Sequence, residues 1–148
     1  MYKHILLPTD GSTLSLKAAQ AGIAFAKAIG AKVTAFYANP GISMAYFQAD
    51  VPLPESIFDA ETERLKKLEE RYLGQVRALA EKAGVPCETA SASNQLAYEA
   101  IIAAAKKLRC DLIYMASHGR SGIQKVLLGS VANQVLTHSK IPVLIWRR

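Results

Sequence analysis

Five short apolar runs alternating with segments of helical period predict an α/β fold, in which one parallel sheet is covered by helices on both faces. Glycines stand at the ends of the helical segments, where a left-handed residue stops a helix without strain. A chain of 148 residues, 51% of them hydrophobic, suffices for one domain with a real core over residues 1–148 and is too short for two ordinary ones. No internal repeat, linker or low-complexity tract interrupts the alternation.

His4 to Leu7 reads as the first strand. Leu14, Ala18, Ala21, Phe25 and Ile29 then keep one helical stripe as far as Gly30. Lys32 to Ala38 is the second strand, and Leu65, Leu68, Tyr72, Val76, Leu79 and Ala83 mark a long helix ending at Gly84, with Glu63 and Lys67 one turn apart on its wet side. Pro86 to Ser91 is a weaker third strand, expected at a sheet edge, and is followed by a helix that turns Ala97, Ile101, Ala104 and Leu108 inward. Asp111 to Ala116 and Ile141 to Trp146 complete the five strands. Between Asn39 and Pro54 three prolines, Gly41 and the group Ile42, Met44, Tyr46 and Phe47 are too irregular for a core element; they read as a flap or contact surface.

The chemistry concentrates in Met115-Ala116-Ser117-His118-Gly119, followed nine residues later by Gly129-Ser130-Val131. An apolar strand ends there at small residues, a glycine-bearing loop follows, and Val131, Val135 and His138 recur at helical spacing. Strand, loop and helix start in this order suit an anion. Unpaired amides and the positive end of the helix dipole face it, glycine lets it approach the backbone, and Ser130 adds a hydroxyl donor or caps the helix.

On these residues the chain resembles the universal stress protein family, whose nucleotide-binding members carry Gly, two residues, Gly, nine residues, then Gly-Ser or Gly-Thr. Gly119, the nine residues Arg120 to Leu128, and Gly129-Ser130 fit that pattern; Ala116 stands where its first glycine belongs. The opening Ile5-Leu6-Leu7-Pro8-Thr9-Asp10-Gly11-Ser12 and the closing Ile141-Pro142-Val143-Leu144-Ile145 also resemble the family's first and last strands, so the likeness spans the chain. It implies a five-stranded sheet of order 3-2-1-4-5, of the Rossmann-like, adenine nucleotide alpha hydrolase-like kind. Its winding reverses between the first and fourth strands, where open α/β sheets bind ligands.

The resemblance further implies ATP with Mg²⁺ as cofactors. Asp10 would contact the ribose, Pro8 and Thr9 the adenosine wall, and Ala38 the adenine through its backbone. Gly119, Gly129 and Ser130 would form the phosphate side, with Arg120 leaning toward the phosphate tail, while Met115, Ala116 and Val131 would also line the nucleotide site, Ala116 beside the ribose. Asp10 or Ser12 also serves as a cap for the first helix, Ser12 being the better placed. The Ala116 methyl either narrows the approach to the ribose or is harmless, depending on a backbone angle. His118 has no Ser or Cys nucleophile marked out beside it and reads as a loop histidine.

Charge agrees with a small polyanion. From Ile101 onward eight basic residues face the single acid Asp111, while the preceding hundred nearly balance. No aromatic-interleaved basic tract supports nucleic acid, no apolar run reaches membrane-spanning length, and Cys87 and Cys110 form neither a CxxC pair nor a Cys/His cluster. A cytoplasmic protein with no membrane or nucleic-acid partner is expected. A receiver domain would need paired acids after the first strand, and a Walker loop and GxGxxG are absent. Two readings remain. One is an ATP-binding, nucleotide-dependent regulatory or protective module in stress response, not a dedicated enzyme and at most a slow ATPase. The other is a dimeric interaction module of the same fold without nucleotide. In either, the apolar last strand is expected to form a homodimer.

Overall fold

A computed structural model describes residues 1–43, 47–48, 50, 53–120 and 127–147. Met44, Tyr46, and the part of the nine-residue spacer from 121 to 126, Lys125 included, lie outside the described residues, as does Arg148. The elements run β1 (His4–Pro8), α1 (Thr13–Ile29), β2 (Lys32–Asn39), α2 (Glu55–Ala83), β3 (Cys87–Ser93), α3 (Ala97–Lys107), β4 (Leu112–Ala116), α4 (Ser130–His138) and β5 (Val143–Trp146). All pairings are parallel, and the order is β3-β2-β1-β4-β5.

Strand alternation builds two cores. Ile5, Leu7, Val33, Ala35, Leu112 and Tyr114 face α1 and α2, whereas Leu6, Phe36, Ile113 and Met115 face α3 and α4. The buried strand residues are thus almost all apolar, as sheets covered on both sides require, the exceptions His4 and Thr34 being bonded to each other at 2.7 Å. At the opposite end of the sheet from the glycine loop, the Asp111 carboxylate accepts the Lys3 and His4 amides at 2.9 and 3.0 Å, which pins β1 beside β4.

Local signals explain the helix ends. Ser12 caps α1 through its hydroxyl, which accepts the Ser15 amide at 3.2 Å. Gly30 and Gly84 close α1 and α2 in the left-handed region, φ 69° and 72°. The long helix starts at Glu55, ten residues ahead of Leu65, because its first turns are solvent-facing and carry no buried stripe for sequence periodicity to report. Ile57 and Phe58 are exposed there. β3 begins at Cys87 and lies at an edge; β5 begins at Val143 at the other.

Cys110 is buried, and desolvation pushes its thiol up to about 11, so it is an unreactive core group. Among the described residues no helix is long and apolar enough to cross a membrane, and no cluster of three or more His, Cys, Asp or Glu side chains could hold a metal.

Candidate functional site

A cavity of about 780 Å³ opens beyond the C-terminal ends of β1 and β4, the two central strands at which the winding reverses. Pro8, Thr9 and Asp10 reach it from β1 and Ala38 from β2. Met115, Ala116, Gly119 and Arg120 come from the end of β4, and Gly129, Ser130 and Val131 from the start of α4. All eleven residues that sequence and resemblance single out therefore line one cavity. α2 supplies a wall that sequence reasoning missed, made of Leu65, Leu68 and Tyr72. Their helical spacing marked them only as core, since periodicity reports burial and not what is buried against.

The helix end is open to an anion. Gly129 is the N-cap of α4, with no side-chain cap, so Ser130 is the first helical residue and not the cap. The α-ladder begins with the Asn133 amide donating to the Gly129 carbonyl at 2.9 Å, which leaves the amides of the first turn without helical partners. The Gly129 amide itself donates to the Ser117 carbonyl at 2.7 Å, and the Ser117 amide to the Trp146 carbonyl at 3.0 Å, tying β5, the β4 loop and α4 together. Glycine is required at 129 by space: a Cβ would stand 2.8 Å from the Ser117 carbonyl oxygen.

Asp10 is held from several sides. Its Oδ1 accepts the Ser12 amide at 2.9 Å and its Oδ2 the Arg120 amide at 2.7 Å. Burial pushes the carboxyl up, but the donors from Ser12, the Arg120 amide and Ser15 outweigh it and hold it below the ordinary carboxylate range. It is ionised at neutral pH. Gly119 permits this approach, because a Cβ there would collide with Asp10 Oδ2. Thr9 turns inward to bond Ser15, Oγ to Oγ at 3.2 Å, and its hydroxyl accepts the Gly11 amide at 3.2 Å. Ser12 does the capping, which leaves Asp10 for the cavity.

Arg120 turns to Asp10 and Tyr72. Its Nε donates to the Asp10 carbonyl at 2.9 Å, its Nη2 to the Tyr72 hydroxyl at 2.6 Å, and its guanidinium lies 5.1 Å from the Tyr72 ring centre. Two hydrogen bonds and a cation–π contact on a buried ring fix it there. His118 bonds Ser117 Oγ through Nδ1 at 3.0 Å, while its Nε2 is enclosed without a partner.

Ala116 is buried at the end of β4 beside Trp146. Among the described residues Arg109 is the one non-glycine with positive φ, so the backbone at 116 does not demand glycine. The departure from the family pattern amounts to one methyl group on the cavity wall.

The sequence matches the Universal stress protein family over residues 1–147. It is 37% identical over 149 residues to Universal stress protein MJ0531 of Methanocaldococcus jannaschii, covering 100% of this chain and 84% of that one. Its fold superposes with a TM-score of 0.82 on the structure of protein MJ0577 of the same organism, at 25% identity, covering 100% of this chain and 97% of the other. A universal stress protein family member from Arabidopsis thaliana, solved with AMP bound, shares the fold at a TM-score of 0.69 and 14% identity, covering 99% and 92%. Motif, topology and whole-length match agree, and the chain belongs to the universal stress protein family.

Proposed function

We propose that this protein binds an adenine nucleotide, ATP with Mg²⁺ foremost, and serves as a nucleotide-dependent regulatory or protective module in stress response. One observation carries the reading: an ionised carboxylate, Asp10, and the uncapped N-terminus of α4 open on the same cavity at the switch point of the sheet. Asp10 would accept the ribose hydroxyls, and Ser130 with the first-turn amides would hold the phosphates. Gly129, where a Cβ would stand 2.8 Å from the Ser117 carbonyl oxygen, lets the first turn of α4 sit close against the β4 loop. Among the described residues the cavity wall offers no second carboxylate, so Mg²⁺ would arrive on the phosphates.

Hydrolysis would be slow. Asp10 would be occupied by the ribose hydroxyls, and His118 Nε2 is closed off from solvent, so neither is placed to activate water. Denaturing the purified protein and chromatographing what it releases tests the proposal; an adenine nucleotide is expected. A protein that releases none and takes up none would act instead as an interaction module without nucleotide. Ser130→Ala should weaken ATP by about 1–2 kcal/mol, one charge-assisted hydrogen bond, while sparing adenosine. Calorimetric titration of both ligands checks this, and equal losses would refute a phosphate role.

The same proposal includes a homodimer. β5 is bonded on one side only, to β4, yet Val143 and Ile145 belong to one core and Leu144 and Trp146 to the other. An edge so apolar invites a second copy in antiparallel, isologous pairing. Light scattering should then report a dimer at micromolar concentration, and Leu144→Pro should shift it to monomer.

A further inference from the structure

We propose that Tyr72 and Arg120 are positioning residues for ribose recognition, holding the Asp10 carboxylate so that its remaining lone pairs meet the vicinal hydroxyls of the nucleotide. This rests on the nucleotide reading of the cavity and goes beyond it, because it brings α2, which carries none of the phosphate motif, into ligand selection.

Tyr72 is the anchor. It is 6% exposed, its ring meets Tyr37 edge-on at 5.4 Å, and it sits against Gly11, where any Cβ would enter the ring. Arg120 is clamped to this fixed point by its Nη2 bond and its stacking on the ring. From there its Nε and its own amide reach the carbonyl and Oδ2 of Asp10. The guanidinium thus bypasses the carboxylate. A bidentate Arg–carboxylate pair would have consumed the acceptor positions that a ligand needs. Here the carboxylate accepts one bond from the Ser12 amide and one from the Arg120 amide. A carboxylate has about four acceptor positions, of which these amides take about two; the rest face only the Ser12 and Ser15 hydroxyls, which a cis-diol can replace. Ordering Asp10 before the ligand arrives removes part of the entropic cost of binding.

The test compares ATP with 2′,3′-dideoxyadenosine triphosphate, which keeps the base and phosphates and lacks the diol. Calorimetric affinities would be measured on the wild type, Tyr72→Phe and Arg120→Lys, with thermal melting as the control for folding. Tyr72→Phe keeps the ring and loses only the hydroxyl; Lys at 120 keeps the charge and loses the fork. In both variants ATP should weaken by about 3- to 10-fold, the worth of one such hydrogen bond, with the dideoxy analogue unchanged to within about twofold. Arg120→Lys keeps the inference open to refutation should Tyr72→Phe melt early. Equal losses for both nucleotides, no loss for either, or a wild type that does not prefer ATP to the analogue would overturn the inference alone. A wild type that binds neither nucleotide would overturn the nucleotide reading with it.

Discussion

Gly129→Val should abolish ATP binding, by about 100-fold or more, while leaving the far-ultraviolet circular dichroism of a folded chain. φ at this residue is −67°, so the backbone angle is not the obstacle. Space is: a Cβ would stand 2.8 Å from the Ser117 carbonyl oxygen and 3.2 Å from the His118 Cα, both of them backbone atoms that cannot swing aside. The first turn of α4 must then move off the β4 loop, breaking the 2.7 Å bond from the Gly129 amide to Ser117 and dispersing the amides that would face the phosphates. Ala132 and Val135, buried against the β4–α3 core, keep the rest of the helix in place. Titration with ATP beside the wild type checks the loss.

Gly11→Val should be the most destabilising change near the site, by about 2–5 kcal/mol. The residue sits at φ +75°, where a branched side chain costs roughly 1–2 kcal/mol. Its Cβ would also enter the ring of Tyr72, and displacing a buried aromatic adds about 1–3 kcal/mol of overpacking. At about 2–4 °C per kcal/mol for a domain of this size, melting should fall by roughly 4–20 °C. Gly84→Val separates the two causes: φ is 72° there but no atom lies within 4 Å, so only the backbone cost remains. Calorimetric melting of both variants would show it, and equal shifts would mean that the Tyr72 contact contributes nothing.

The sheet was legible because each buried strand alternates between two cores, leaving an almost unbroken apolar run such as Leu112 to Ala116. Gly30 and Gly84 announced helix ends for a backbone reason that needs no tertiary context. The start of α2 was not legible, since the turns before Leu65 pack on too little to leave a pattern. At the site, the order of strand, loop and helix and the resemblance to the family's glycine pattern grouped Gly119 with Gly129 and Ser130. The direction of Arg120 was hidden: it depends on Tyr72, 48 residues away in sequence, whose place in an apolar stripe concealed its hydroxyl's bond to Arg120. Sequence also left open whether the Ala116 methyl narrows the ribose approach or is harmless; the ordinary φ there shows that the backbone itself does not demand glycine.

Titration of ATP with Mg²⁺ into the wild-type protein, with Ala116→Gly alongside, tests the nucleotide claim most directly. Saturable binding is predicted for both, tighter for the glycine variant if the methyl narrows the ribose approach. If millimolar ATP gives no heat with the wild type but binds Ala116→Gly, the methyl has closed the site and this chain is the interaction module. No heat with either protein would contradict the assignment of the Gly119/Gly129-Ser130 loop itself.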